Sequence, residues 1–143
     1  MVVKRRGKIV FVSSMAGLWT VPYASGYSAS KHALEAIAEG LRAELAEFGI
    51  KVATVNPGVY GTGFNDRGAD TVSHWYDPSK NFTPPQVFAG MRATLAHQLE
   101  PKAMADVIVD VVLSDMPRFR NVYPQETEDQ IRQIQKETWD ARS

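Results

Sequence analysis

The apolar positions of the chain switch between two periods. Lys8-Ile9-Val10-Phe11-Val12-Ser13 carries a short, mostly β-branched run with no polar interruption. That is the pattern of a strand buried on both faces in a parallel sheet. Ser14 to Ser25 is rich in small and turn-forming residues and predicts a long loop. From about Ser25 to Phe48 the period becomes helical. At about 100° per residue, Tyr27, Lys31, Leu34, Ile37, Leu41, Leu45 and Phe48 fall on one arc, and Gly49 supplies the stop. Ala29, Ala33, Ala36, Gly40 and Ala43 fall opposite, and so many small residues predict a second close packing surface. Ile50-Lys51-Val52-Ala53-Thr54-Val55 is the next strand, closed by Asn56-Pro57-Gly58. Strand, helix and strand in this order predict a βαβ unit with parallel strands and a right-handed crossover.

Gly61 to Thr83 has no clear period and reads as loop. Pro84-Pro85 opens a helix to about His97, with Val87, Phe88, Met91 and Leu95 as its stripe. Pro101 opens another, with Met104, Val107, Ile108, Val111 and Val112 facing inward. Arg120 to Tyr123 is a last strand ended by Pro124, and Glu126 to Ala141 predicts an exposed, polar tail helix. Lys4-Arg5-Arg6 before Gly7 reads as the cationic end of a helix with its glycine stop.

Composition narrows the function. The 143 residues suit one ordinary domain, and 44% hydrophobic with 22% charged residues is average for a globular chain. Sixteen basic residues balance sixteen acidic ones, which argues against nucleic-acid binding. There is no cysteine, so disulfides, thiol nucleophiles and cysteine-held zinc are excluded, and a reducing, cytoplasmic setting fits. No stretch reaches the roughly 20 apolar residues of a membrane span. His32, His74 and His97 are scattered, and no metal site is expected.

The chemistry-bearing pair is Tyr27 and Lys31, four apart on one helix face. A free tyrosine, with a pKa of about 10, exchanges protons poorly near neutrality, and a nearby ammonium favours its phenolate. Such a pair is a workable general acid/base. YxxxK alone arises by chance in many helices. Here Ser14 lies thirteen residues upstream at the C-terminal end of a strand, and Pro57-Gly58 closes the neighbouring strand. Ligands of open α/β sheets bind at such ends.

Ile9-Val10-Phe11-Val12-Ser13-Ser14, Tyr27-Ser28-Ala29-Ser30-Lys31 and Asn56-Pro57-Gly58-Val59-Tyr60-Gly61-Thr62, in this order and spacing, resemble the C-terminal half of the short-chain dehydrogenases/reductases. The resemblance is clear from about Gly7 to Thr62 and returns loosely after Pro101. It implies an α/β fold, namely the C-terminal half of a Rossmann-like doubly wound parallel sheet. On that basis residues 1–143 form one partial domain. Residues 8–62 are its strand–helix–strand core, 63–100 its substrate-lid region and 101–143 its last helix, strand and tail. The resemblance implies hydride transfer between NAD or NADP and a small-molecule carbonyl/alcohol substrate. Tyr27 would be the acid/base, Lys31 would lower its pKa and bond the nicotinamide ribose, and Ser14 would hold the substrate oxygen. Pro57 and Gly58 would set the turn. Tyr60, where the family usually has isoleucine or valine, would bind the carboxamide through its backbone, with Val59 as the alternative, and Thr62 would offer a hydroxyl to the cofactor. The aromatic lid residues hint at a lipophilic substrate.

The family's opening strand, glycine-rich turn and helix do not precede Ile9, so the chain reads as a fragment whose cofactor site is incomplete. The isolated chain is expected to be inactive, and homo-oligomerisation through the 25–48 helix is expected. A different class of function remains open: a catalytically silent half-domain serving as an oligomerisation or interaction module. Extended relatives that epimerise or dehydrate nucleotide sugars share the tyrosine–lysine pair, but usually have a longer C-terminal domain.

Overall fold

A computed structural model describes residues 1–142. It contains a three-stranded parallel sheet in the order β1-β2-β3, with β1 spanning Gly7–Val12, β2 Ile50–Pro57 and β3 Arg120–Tyr123. Val10 faces Ala53 and Val55 faces Asn121 in register. The helix α1, Ser25–Glu44, connects β1 to β2, so the expected parallel βαβ unit is present. Between β2 and β3 come α2 (Phe64–Trp75), α3 (Pro85–Thr94) and α4 (Pro101–Leu113), and α5 (Gln125–Asp140) closes the order.

The chain divides into two compact units. One is Met1–Gly58 with Met104–Ser143, and the other is Val59–Ala103. The larger unit holds the core: Ile50, Val52, Ala53 and Val55 of β2, Ala38 of α1, Met104 and Val111 of α4, and Ile131 of α5. β2 is the central strand and is buried almost throughout, which suits its β-branched run.

Several expectations need correction. β1 is half-buried, not buried on both faces, because only β2 pairs with it among the described residues. Gly7 does not stop a helix. Residues 2–5 form a turn, and Gly7 begins β1 at φ +150°. The expected loop from Gly61 to Thr83 contains α2, whose Phe64 and Trp75 are exposed and so leave no apolar stripe to read. Val112, expected to face inward, is 51% exposed, and Ile37 on the apolar arc of α1 is 54% exposed. α5 is not a free tail, since it buries Glu128 and Ile131. Ser143, the last residue of the expected 101–143 segment, lies outside the described residues.

The long helix ends where expected. After α1 a short 3₁₀ turn, Ala46–Phe48, leads to Gly49 in the left-handed region at φ 64°. A Cβ there would stand 2.7 Å from the Arg5 carbonyl oxygen, so both the backbone angle and the contact demand glycine. The alanines of the small-residue face, Ala29, Ala33, Ala36 and Ala43, are exposed. No described helix is long and apolar enough to cross a membrane.

Candidate active site

β1 delivers its C-terminal end to Ser13 and Ser14, both buried. The Ser13 N–H donates to the Val55 carbonyl at 2.8 Å, extending the pairing with β2 by one step. The chain then turns through a short 3₁₀ segment, Met15–Gly17, which Ser14 caps. The Ser14 hydroxyl oxygen accepts from the Ala16 N–H at 3.1 Å, and the Ser14 carbonyl accepts from the Gly17 N–H at 3.0 Å. A hydroxyl that accepts from an N–H still has its own proton to donate.

Tyr27 and Lys31 stand on the first two turns of α1. Tyr27 is 38% exposed. The Lys31 Nζ lies 5.8 Å from the centre of the Tyr27 ring and donates to the Val12 carbonyl at 3.3 Å. The same ammonium therefore touches the end of β1 and accompanies the phenol. Gly17 fits between these pieces: a Cβ built on it would meet the Lys31 carbonyl oxygen and the Ser13 Oγ, each at 2.9 Å, and the Glu35 Cγ at 3.1 Å. His32 turns away and sets its Nδ1 2.9 Å from the Ser28 carbonyl oxygen.

Sequence reasoning missed a buried polar cluster directly beneath this edge. Glu35, one turn beyond Lys31, is 4% exposed. Its carboxylate accepts from the Asn56 Nδ2 at 2.6 Å and from the Arg120 Nε at 3.1 Å, while Arg120 also pairs with Glu39 at 2.9 Å. Asn56 Nδ2 reaches the Ser14 carbonyl at 3.2 Å, and the Thr54 hydroxyl donates to the Asn56 Oδ1 at 3.0 Å. The signal available in the sequence was a charge four residues after Lys31, on the side of the helix that faces the sheet.

Of the remaining predicted residues, Pro57 ends β2, and Gly58 follows it in the same unit. Val59, Tyr60 and Thr62 belong to the smaller unit. There Tyr60 is buried and forms an isolated parallel bridge with Leu99, whose N–H donates to the Val59 carbonyl at 2.9 Å. The Thr62 Oγ1 accepts from the Phe64 N–H at 3.4 Å.

The residues present suit one end of a nicotinamide cofactor. At the end of β1 the Ser13 Oγ is buried without a hydrogen-bond partner. Lys31 has N–H groups beyond the one given to Val12. A Cβ on Gly58 would stand in ordinary van der Waals contact with the Met15 sulfur at 3.6 Å and the Thr127 Cγ2 at 4.0 Å.

The family model for short chain dehydrogenases matches residues 1–72. The chain belongs to the short-chain dehydrogenase family. It is 50% identical over 62 residues to the 3-ketodihydrosphingosine reductase of Bacteroides thetaiotaomicron, covering 43% of this chain and 23% of that protein. It is 39% identical over 118 residues to the uncharacterized oxidoreductase YbbO of Escherichia coli K12, covering 82% of this chain and 39% of that protein. Among solved structures it resembles NAD⁺-bound xylitol dehydrogenase with a TM-score of 0.65 and 25% identity, over 86% of this chain and 50% of that one. The chain thus spans well under two thirds of these relatives. The α/β architecture and parallel sheet are those of the family's Rossmann-like fold, as the resemblance implied.

Proposed function

We propose that this chain carries the proton-handling part of the active site of an NAD- or NADP-dependent oxidoreductase acting on a carbonyl/alcohol pair. The observation that carries the reading is the shared position of Lys31, between the Tyr27 ring at 5.8 Å and the Val12 carbonyl at 3.3 Å, at the strand end that presents Ser14.

When bound, the nicotinamide supplies or accepts the hydride. In reduction, Tyr27 gives its phenolic proton to the carbonyl oxygen, and in oxidation its phenolate removes the alcohol proton. Lys31 provides the fixed positive charge beside the phenol and N–H donors for the ribose. Ser14 donates its hydroxyl proton to the substrate oxygen while its own oxygen is held by Ala16. Pro57 and Gly58 shape the end of β2 for the carboxamide. By the family resemblance, the Tyr60 or Val59 backbone would bind the carboxamide, and the Thr62 hydroxyl would contact the carboxamide or the pyrophosphate.

A lipophilic substrate is favoured by two features. One relative is named for a ketosphingoid substrate. The smaller unit also clusters Trp75, Tyr76 and Phe88, with the Tyr76 and Phe88 rings 4.8 Å apart, beside a groove of about 230 Å³ lined by Val72, Tyr76, Phe88 and Arg92. The exposed alanine face of α1 is the surface through which two copies would pair.

The test is a chimera that places the N-terminal part of the E. coli relative ahead of Gly7. It is expected to oxidise NADH or NADPH with long-chain ketones, and Tyr27→Phe should silence it. A folded, cofactor-binding chimera that turns over no carbonyl would sink the reading in favour of a silent interaction module, and a Tyr27→Phe variant that turns over equally fast would overturn the role given to Tyr27.

A further inference from the structure

We propose that Glu35 is a positioning residue for Ser14, acting through the side-chain amide of Asn56. The inference rests on the reading that Ser14 holds the substrate oxygen. Asn56 is fully buried, and its amide has two faces to satisfy. Its Oδ1 takes the Thr54 hydroxyl at 3.0 Å, while its Nδ2 is shared between the Glu35 carboxylate at 2.6 Å and the Ser14 carbonyl at 3.2 Å. Both of the latter groups are pure acceptors. Turning the amide over would set its oxygen against a carboxylate and a carbonyl, so the acceptor oxygen of Glu35 dictates which way Asn56 faces. That orientation gives the Ser14 carbonyl its side-chain donor.

The consequence reaches the hydroxyl. The Ser14 carbonyl and hydroxyl oxygens both anchor the turn that follows, through Gly17 and Ala16. Glu35 also abuts that turn directly, its Cγ lying 3.1 Å from where a Gly17 Cβ would stand. Arg120 neutralises the carboxylate, but it is 42% exposed and turns its other arm to Glu39. Arg120 therefore supports the charge, whereas Asn56 transmits its direction.

Amide hydrogen exchange on the ¹⁵N-labelled full chain tests this. Glu35→Ala and Asn56→Ala should each speed exchange at Ala16 and Gly17 by roughly tenfold relative to Val52 and Val55, the scale of one lost buried hydrogen bond. The double variant should go no further than either single one, and the Asn56 side-chain amide signals should shift in Glu35→Ala. Arg120→Met should leave the ratio unchanged. Glu35→Gln keeps the volume and can turn its own oxygen to Asn56, so it should restore most of the protection, and it serves as the test should Glu35→Ala not fold, with the Arg120→Met ratio as its reference. Equal acceleration at Ala16, Gly17, Val52 and Val55, or unmoved Asn56 signals, would reduce Glu35 to a general stabiliser and overturn the proposal. None of these readouts involves turnover, so failure of the oxidoreductase reading is seen separately in the chimera.

Discussion

The Lys31 ammonium is held 5.8 Å from the centre of the Tyr27 ring by a helix that also lets it reach the carbonyl of Val12 at 3.3 Å. The strand end thus fixes the cation, and the helix turn fixes the phenol relative to it. In the chimera described above, Lys31→Met should lower kcat by on the order of 10²- to 10⁴-fold, the usual range for losing general acid–base assistance. Steady-state kinetics beside circular dichroism checks this. A folded Lys31→Met variant with unchanged kcat would contradict the assignment.

Dinucleotide binding separates the two halves of the site. On the proposed reading this chain offers Lys31 and the ends of β1 and β2 to the nicotinamide end of the cofactor, and the contacts to the rest are not among them. Isothermal titration calorimetry with NADH and NADPH should give no binding in the micromolar range. A micromolar Kd for either would overturn this expectation.

Gly17 should be far less replaceable than the glycines inside α2 and α3. A methyl group there would press on the backbone of Lys31 and on the Ser13 hydroxyl at 2.9 Å. Gly17→Ala should therefore cost about 1–3 kcal/mol of stability. Gly68 in α2 and Gly90 in α3 have nothing within 4 Å of where an added methyl would stand, so alanine there should stabilise by about 0.5–1 kcal/mol. Urea unfolding midpoints rank the three variants, and a neutral Gly17→Ala would refute the close packing.

Acid should loosen α5. The Glu128 carboxylate accepts from Arg118 at 2.7 Å and from Arg132 at 2.7 Å. The Arg118 hydrogen bond, more than the opposing burial, holds its pKa below the usual 4.5 of a glutamate. A carboxyl with a depressed folded-state pKa stabilises fully above its unfolded value. That contribution is lost as pH falls from about 4.5 through the lower folded value. Urea midpoints measured from pH 7 to pH 3 should fall more steeply for the native chain than for Glu128→Gln. Parallel slopes would show that the ion pairs do not stabilise the folded state.

The sheet was legible because Ile9–Val12 and Val52–Val55 are short β-branched runs, and no competing helix period exists over them. Parallel pairing followed from the single long helix between them. α2 was not legible, since Gly63 and Gly68 punctuate it and its large residues, Phe64 and Trp75, face outward. The tail helix was misjudged for a related reason: its one buried aliphatic, Ile131, lies in a polar stretch whose Glu128 is buried only by virtue of Arg118 and Arg132. That Ser14 stands at a strand end and Tyr27 and Lys31 on the following helix could be read from spacing, whereas in the cluster of Glu35, Asn56 and Arg120 only the helix position of Glu35 could. Its members are 21 and 85 residues apart along the chain, and each alone is an ordinary polar residue.

The Glu35–Asn56–Thr54 cluster also constrains how this region can vary among related proteins. Removing one partner strands a buried charge or amide, which is severe, while replacing the whole set with apolar residues of similar volume can be nearly neutral. Changes at these three positions should therefore be inherited as a block, with singly altered intermediates rare. The positions would look mutually dependent in any family tree, even where none of them meets a substrate.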